Sequence, residues 1–444
     1  MPLILCFIGI LCLVLLIVWV KLDAFISFIL VSVGLGLACG LGIKEIGSAI
    51  QTGIGSILGS LVIILGFGAM LGRLVADSGA AQQIMESLIR ISGRKGILWA
   101  MALVGLIVGI PLFYNAGFVV VMPLIVAVGA STGLPLVHVG MPMLSALSVA
   151  HGFLPPHPSP TAITQTLHAD LGKVLLYGLT AAVPAIVIAG PLFARTLKKY
   201  KAAPDPALLH VKVRQKEELP GLGISLLTAL LPLVLLTATT VMETAAPAKG
   251  AEPGTLRKII TFIGDPNIAM LISVLVAIYA LGLRRKVKMT EVMKSMEDAF
   301  KGVAPVMMII AVSGVFVQVM KAGGVNDFIA SFLKDAPLSP LVLGWGIAAL
   351  IRVSVGSATV AGLTAAAIML PLLTQHPEVH PELMVLAIGA GSLFCSHVND
   401  GGFWLFKQYF NLSIKDTFLT WSVMETIVSV VGLSMVLLLN LFIR

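Results

Sequence analysis

Ser148-Val149-Ala150-His151-Gly152 interrupts a long apolar run in the first half of this chain, and Cys395-Ser396-His397-Val398-Asn399-Asp400 interrupts one in the second half. Lipid offers no hydrogen-bond partners, so a broken helix is tolerated at mid-membrane only where it faces protein or a water-filled cavity. Paired breaks in corresponding halves are typical of the binding site of a secondary transporter. We therefore expect two broken helices, at about 134–165 and 382–411, to meet at a site.

The composition indicates an integral membrane protein. Hydrophobic residues make up 58% and charged residues 11% of the sequence, and the mean hydropathy is +1.03, whereas a soluble domain carries about 25% charged residues. Apolar stretches near the roughly 20 residues that cross a bilayer recur along the whole chain. These features predict an all-α polytopic membrane protein without a separate soluble enzyme domain.

The net charge of +8 is a topology signal rather than a sign of nucleic-acid binding, because the basic residues lie in short loops. The longest polar stretch, 198–220, is rich in lysine and should be a cytoplasmic linker. The four cysteines show no metal-ligand spacing, so we expect neither zinc nor disulfides.

The linker divides the chain into two halves, 1–197 and 221–444, whose apolar segments follow the same order. Each half contains a double-length segment, 97–130 or 338–374, which we interpret as a re-entrant hairpin. Two ordinary spans are the alternative, and the distribution of charged loops does not distinguish them, because both arrangements leave every loop on the same side of the membrane. With hairpins, each half has about five transmembrane helices, one of them broken. An odd number of crossings predicts two inverted-topology repeats, with both termini periplasmic. Single helices are expected at 3–20, 24–42, 54–75, 171–197, 222–242, 262–283, 303–321 and 416–442.

Arg352 is a cation that the sequence places neither in a loop nor at a helix end. Such a charge costs roughly 2.5 to 3.5 kcal/mol within a membrane helix, so it must pair or face water. An anionic substrate is one natural partner; a structural ion pair or a snorkelling side chain is the alternative.

Small and polar residues follow Arg352 at the expected tip of the second hairpin. Free N–H groups at helix starts there favour a carboxylate, and Gly356 allows close approach of a ligand to the backbone. The alternative is small-residue helix packing. The substrate-binding candidates at the two tips are Asn115, Gly117, Ser354, Gly356, Ser357 and Thr359.

The second break holds the densest polar cluster, with Ser396 and Asn399 as further binding candidates. Asp400 is the first candidate for proton coupling, followed by His397 and His151, because ionisable groups at such depth often relay protons. Asp400 could instead cap the second part of the broken helix. His151 is also a binding candidate, and Glu425 in the last helix could tie helices together or take part in coupling.

No ATP-binding P-loop, zinc-protease, esterase-elbow or haem-attachment motif occurs in the sequence. A primary pump or membrane hydrolase is therefore not expected. The chain should be no enzyme and need no cofactor.

The stretches Tyr114-Asn115-Ala116-Gly117, 352–360 and 397–404 closely resemble the bacterial gluconate permease family, and the likeness extends over essentially the full length. More broadly, the chain looks like the ion-transporter superfamily. The resemblance implies a proton symporter for gluconate or a related sugar acid, working by an elevator motion in the inner membrane, with the proton gradient as its energy source.

Three alternatives stay open beside gluconate symport. Another hydroxylated carboxylate or D-serine could be the substrate, and an anion channel could use the same hairpin dipoles. In the symport hypothesis Arg352 and tip amides bind the carboxylate, and the scaffold helices form the surface of a homodimer.

Overall fold

The computed structural model describes residues 2–112, 114–200, 202, 214–244, 255–324, 339–398 and 400–443. Throughout these ranges the ordered elements are helices. They are α1 (Pro2–Val18), α2 (Ala24–Ala38), α3 (Ile43–Asp77), α4 (Ala80–Gly109), α5 (Tyr114–Thr132), α6 (Leu136–Phe153), α7 (Pro158–Thr166), α8 (Leu171–Val187), α9 (Leu222–Thr244), α10 (Thr255–Ile263), α11 (Pro266–Ala277), α12 (Met289–Ala322), α13 (Pro340–Val355), α14 (Ala358–Gln375), α15 (Pro381–Gly391), α16 (Gly401–Phe410), α17 (Ile414–Thr417) and α18 (Val423–Phe442).

The prediction of an all-helical membrane chain is confirmed for the described residues. Seven of their helices are long and apolar enough to cross a bilayer, or eight if the bent helix α3 counts as one span. Helices α8 and α11 continue through the π-helical turns Ile188–Leu192 and Ile278–Gly282, and Phe418–Ser422 joins α17 to α18. The inverted relation of the halves and the re-entrant course of the hairpins stay predictions.

Helices α3 and α12 are longer than the hydropathy predicted. Each adds an extension of more than ten residues before the apolar part expected at 54–75 or 303–321. The two helices pack along each other, and Gly53 lies so close that an added Cβ would stand 2.6 Å from the backbone of Gly314. Polar extensions can remain helical outside the lipid, so hydropathy marks only part of such helices.

Four interruptions divide the helices in the segments where the sequence suggested hairpins or broken helices. Helix α4 ends before Pro111, and α5 begins at Tyr114. Gly356 ends α13 in the left-handed conformation, with φ of 79°, which glycine adopts without steric cost. Residues 392–398 and Asp400 separate α15 from α16.

The interruption after α6 lies later than the polar stretch 148–152 suggested. His151 is still in the last helical turn of α6, and the chain leaves the helix at residues 154–157. Pro155 and Pro156 provide the physical reason, because proline lacks an N–H donor and disfavours helical backbone in the residue before it. The polarity of His151 alone does not end a helix.

The interrupted helices occupy the interior of the molecule. Helix α6 is buried along nearly its whole length, and it packs against α4, α5 and α8. Helix α7 packs on α14 and α15, and α13 packs on α14 and α15, so interrupted elements of both halves contact one another. The four interruptions are thereby brought around one central space.

Candidate functional site

A cavity of about 1550 Å³ lies at the four helix interruptions. Its size exceeds the roughly 300 to 1,000 Å³ of an ordinary small-ligand site, so it has room for a site and an access path. Each interruption contributes to the wall, and so does the stretch that leads into α18. The lining at this end includes Pro111, Tyr114, Ser148, His151, Pro158, Arg352, Gly356, Ser357, Thr359, Asp400, Gly402, Trp421 and Glu425.

Arg352 and Asp400 form an ion pair at the wall of this cavity. Nη2 of Arg352 lies 2.5 Å from Oδ2 of Asp400, and only 4% of the arginine side chain is exposed. Nη1 donates a hydrogen bond to the carbonyl oxygen of Gly356. Nε of Arg352 is buried and has no hydrogen-bond partner among the described residues. One donor of the guanidinium is therefore left without a protein acceptor in the described part of the chain.

Asp400 receives three donors. Besides Arg352, the hydroxyl of Ser396 donates to Oδ2, and the backbone N–H of Gly402 donates to Oδ1 at 3.1 Å. Asp400 is thus also the N-cap of α16, as the alternative interpretation of the sequence proposed.

The position of Ser396 is fixed by the stretch before α18. Nε1 of Trp421 donates to the Ser396 hydroxyl at 2.8 Å, and the hydroxyl of Ser422 donates to the Ser396 carbonyl oxygen. The second break is therefore anchored to another element through side-chain hydrogen bonds. This anchor holds the acidic partner of Arg352 in place.

The candidates at the second hairpin tip divide into two groups. Gly356, Ser357 and Thr359 line the cavity, and the Ser357 hydroxyl accepts a hydrogen bond from the N–H of Val360 at 3.3 Å as the N-cap of α14. Ser354 is not one of the lining residues. Its hydroxyl donates a hydrogen bond of 2.9 Å to the carbonyl oxygen of Leu350, one turn earlier in α13.

The remaining candidates are placed as follows. Nε2 of His397 lies 3.0 Å from the carbonyl oxygen of Val353, outside the cavity lining. Gly117 is buried, and a Cβ added there would lie 3.1 Å from the Leu147 side chain, which fits helix packing. Asn399 and the side chain of Asn115 lie outside the described residues.

A second group of buried polar atoms faces the same cavity. The hydroxyl of Tyr114, Nδ1 of His151 and Oε2 of Glu425 have no hydrogen-bond partner among the described residues. The ring of Tyr114 lies between those of His151 and Trp421, at centroid distances of 5.6 and 6.1 Å. Buried polar atoms are normally paired, so these three mark places in the wall where a ligand hydroxyl group or a water molecule would gain a partner.

Sequence reasoning missed Tyr114 and Trp421 as parts of the wall. Tyr114 belongs to the stretch Tyr114-Asn115-Ala116-Gly117 and follows the interruption at Pro111. An aromatic residue beside a helix interruption was the signal that could have identified it. The sequence around Trp421 contains no comparable signal, because its ring reaches the site only through tertiary packing. His157 is structural in character, with Nε2 located 2.7 Å from the carbonyl oxygen of Gly109.

The other end of the cavity is bounded by the end of α3 and the returning linker. Arg214 donates through Nε and Nη2 to the carbonyl oxygen of Asp77, at 3.0 and 2.7 Å. Gln82 and the backbone of Arg214 exchange two hydrogen bonds of 2.9 and 3.0 Å. Arg285 adds a hydrogen bond of 2.6 Å to the carbonyl of Ser78. Arg214, Gln215 and Glu218, at the end of the linker, therefore line this part of the cavity.

The described residues hold no cluster of three or more His, Cys, Asp or Glu side chains placed for a metal ion. At the end of the cavity formed by the interruptions, the wall offers one guanidinium, two carboxyl groups, one imidazole and several hydroxyl groups. This set can bind a hydroxylated anion and exchange protons.

Comparison with known families identifies the chain. Residues 1–442 match the family model described as GntP family permease. The chain belongs to the GntP permease family. The resemblance found in the sequence is confirmed, and so is the prediction that the chain is a multi-pass membrane permease rather than an enzyme.

Curated relatives of this GntP permease match along their whole length. A gluconate permease of Bacillus subtilis is 44% identical, with 99% of this chain and 100% of the relative covered. A high-affinity gluconate transporter of Escherichia coli is 45% identical, with 100% of both covered. The Gnt-II system L-idonate transporter of Escherichia coli is 43% identical, with 99% of both covered.

Two solved structures share the fold of this GntP permease. The YdaH transporter of Alcanivorax borkumensis has a TM-score of 0.65 at 18% identity, with 94% of this chain and 97% of that chain covered. Neisseria gonorrhoeae MtrF has a TM-score of 0.62 at 16% identity, with 87% and 82% covered. At such identities the likeness concerns the fold alone.

The ion pair leads to a stability prediction. Asp400→Ala leaves the Arg352 charge buried and unpaired, which typically costs about 3 to 5 kcal/mol, whereas the double variant Arg352→Ala/Asp400→Ala leaves no charge behind. We expect Asp400→Ala to have a lower melting temperature in detergent than the double variant. Arg90→Ala, on the exposed face of α4, is the control. A double variant that melts below both single variants would contradict the pairing.

Proposed function

We propose that this permease takes up gluconate or a related sugar acid together with a proton. The observation that carries the proposal is the buried guanidinium of Arg352, which lines the cavity with Nε unpartnered among the described residues. Relatives named for gluconate and for L-idonate support a sugar-acid substrate. Their names do not separate these substrates for this chain, and another hydroxylated carboxylate or D-serine is the alternative.

The substrate carboxylate would bind Arg352 without removing Asp400. A guanidinium has five N–H donors, and the contacts to Gly356 and Asp400 use only part of them. Ser357, Thr359 and the N–H groups at the start of α14 complete the carboxylate site. The hydroxyl groups would extend towards Tyr114 and His151. Asn115, Ser396 and Asn399 stay expected hydroxyl contacts.

Proton coupling follows from the charge of the substrate. An interior-negative potential opposes the entry of a monoanion by about 2.3 kcal/mol per 100 mV. A proton that moves with the anion removes this penalty and lets a pH gradient drive uptake. Asp400, His397 and His151 are the carriers that the sequence suggested; of these, Asp400 and His151 line the cavity.

The transport cycle would use an elevator motion. In this proposal both hairpins and both broken helices move together against a scaffold of the other helices, which also forms a homodimer surface. The repeats 1–197 and 221–444 are inverted, and the cytoplasmic linker 198–220 joins them in the inner membrane, with both termini periplasmic. The cavity, with Arg214 and Glu218 in its mouth, then opens towards the cytoplasm.

Uptake of labelled gluconate into proteoliposomes with an inward proton gradient tests this function. We expect accumulation by the wild type, loss of it in Arg352→Ala, and retention in the exposed control Arg90→Ala. Arg352→Lys should recover part of the accumulation, because lysine keeps the positive charge but lacks the forked N–H donors of the guanidinium. Flux that equilibrates without accumulation would favour an anion channel, and uptake driven only by sodium would contradict proton coupling.

A crosslink tests the elevator motion. Nε1 of Trp345 in α13 donates to the Ser429 hydroxyl of α18 at 2.9 Å, so this contact joins a proposed moving element to the scaffold. In a variant without native cysteines, Trp345→Cys/Ser429→Cys joined by a bis-methanethiosulfonate reagent should lose transport, and a reducing agent should restore it. The two single-cysteine variants serve as controls. Full transport by the crosslinked protein would exclude this motion.

A further inference from the structure

Glu425 is a second carboxylic acid in the cavity, and its surroundings differ from those of Asp400. It lies near the start of α18, with 2% of the residue exposed, and it lines the cavity together with Arg352. Oε2 has no hydrogen-bond partner among the described residues. Ser148 of α6 lines the same cavity.

No basic side chain of the described part of the chain forms an ion pair with Glu425 within 4.0 Å. An ionised carboxylate buried without a cation or a full set of donors is costly, whereas a neutral carboxylic acid needs far less compensation. A neutral acid can also donate its own proton to a ligand oxygen. The geometry around Glu425 therefore suits a group that gains and loses a proton.

Asp400 has the opposite surroundings. Its two oxygens accept hydrogen bonds from Arg352, Ser396 and Gly402. An ionised carboxylate is an acceptor only, so it satisfies all three donors, whereas a proton on Oδ2 would conflict with the guanidinium. Asp400 is thus built to remain ionised as the partner of Arg352.

We infer that Glu425 carries the transported proton, one for each substrate anion, and that Asp400 keeps its charge throughout. This inference rests on the proposed symport. The titratable or charged groups that line this end of the cavity together with Glu425 are Tyr114 of α5, His151 of α6, Arg352 of α13 and Asp400 before α16. A substrate carboxylate at Arg352 would repel an ionised Glu425, so anion binding and proton binding reinforce each other.

The charge balance fits an electroneutral carrier. The empty site with ionised Glu425 has Arg352 at +1 and two carboxylates at −1 each, a net charge of −1. The loaded site has Arg352 at +1, Asp400 at −1, the substrate at −1 and Glu425 neutral, again a net charge of −1. The two forms of the site carry the same net charge because the anion and its proton together add none, so the membrane potential favours neither direction of their transport.

The test compares two activities in proteoliposomes: exchange of labelled for unlabelled gluconate, which needs no net proton movement, and accumulation of gluconate, which needs proton coupling. We expect the wild type to accumulate gluconate up to about tenfold for one pH unit of gradient, since one unit corresponds to a tenfold ratio. Glu425→Gln, which imitates the neutral acid, should exchange labelled for unlabelled gluconate but show an accumulation ratio of about one. Glu425→Asp should restore accumulation at least in part. Glu382→Gln, a buried carboxyl of α15 outside the cavity, is the control and should accumulate gluconate like the wild type.

Each result has a distinct meaning. Full accumulation by Glu425→Gln, or loss of its exchange together with its accumulation, would overturn the assignment of the proton to Glu425 and leave the symport intact. If Asp400→Asn exchanges gluconate without accumulating it, and Glu425→Gln still accumulates gluconate, the transported proton must be assigned to Asp400 instead. A wild type that accumulates no gluconate would instead refute the proposed function. If Glu425→Gln is not recovered as a monodisperse protein, Glu425→Asp decides: an altered pH dependence of uptake supports the inference, and an unchanged one overturns it.

Discussion

The ion pair between Arg352 and Asp400 connects the end of α13 with the start of α16 at the centre of the molecule. A guanidinium with 4% of its side chain exposed needs a fixed negative partner. Asp400 can serve as that partner only because the chain leaves the helix between α15 and α16 and turns the carboxylate towards α13. Ser396, Trp421 and Ser422 then fix the break through their hydrogen bonds. The position of the charge, the break and the start of α18 thus depend on one another.

The same arrangement explains how an apolar protein maintains a polar site at its centre. Four interruptions converge, and residues at or next to each of them line the cavity. Gly356 can end α13 in the left-handed conformation at no steric cost, and Ser357 caps the helix that follows. One part of the wall holds the ion pair of Arg352 and Asp400, and the other part, at Tyr114, His151 and Glu425, holds polar atoms without hydrogen-bond partners among the described residues. An anionic end and a hydroxylated end of one ligand match these two parts.

Much of this fold was predictable from the sequence because its determinants are local. Apolar length marks the spans, and proline or glycine marks the interruptions, so the order of the helices agrees with the structure. The first break was placed at the polar stretch 148–152 and the prolines that follow it, whereas His151 is still inside α6 and the helix ends only at those prolines. Hydropathy also could not show the polar ends of α3 and α12, which lie beyond the apolar segments.

The site was less predictable because it depends on side-chain direction and on contacts between distant segments. Ser354 and Gly356 are two residues apart, yet only Gly356 lines the cavity. Trp421 joins the wall through its contact with Ser396, far away in sequence. Glu425 was underrated because a single acid in an apolar helix has many explanations until its neighbours are known. The pairing of Arg352 with Asp400 was open in the sequence, where an anionic substrate was the expected partner and a structural ion pair was the alternative.

Proton movement driven by the substrate alone tests the central claim most directly. Proteoliposomes that contain a pH-sensitive dye are given external gluconate, with no imposed pH gradient and with the membrane potential clamped at zero. The account predicts acidification of the interior as gluconate enters, and no acidification with sorbitol, an uncharged polyol of similar size. Gluconate entry without acidification would contradict proton coupling, and acidification of equal rate in Arg352→Ala would contradict the anion site.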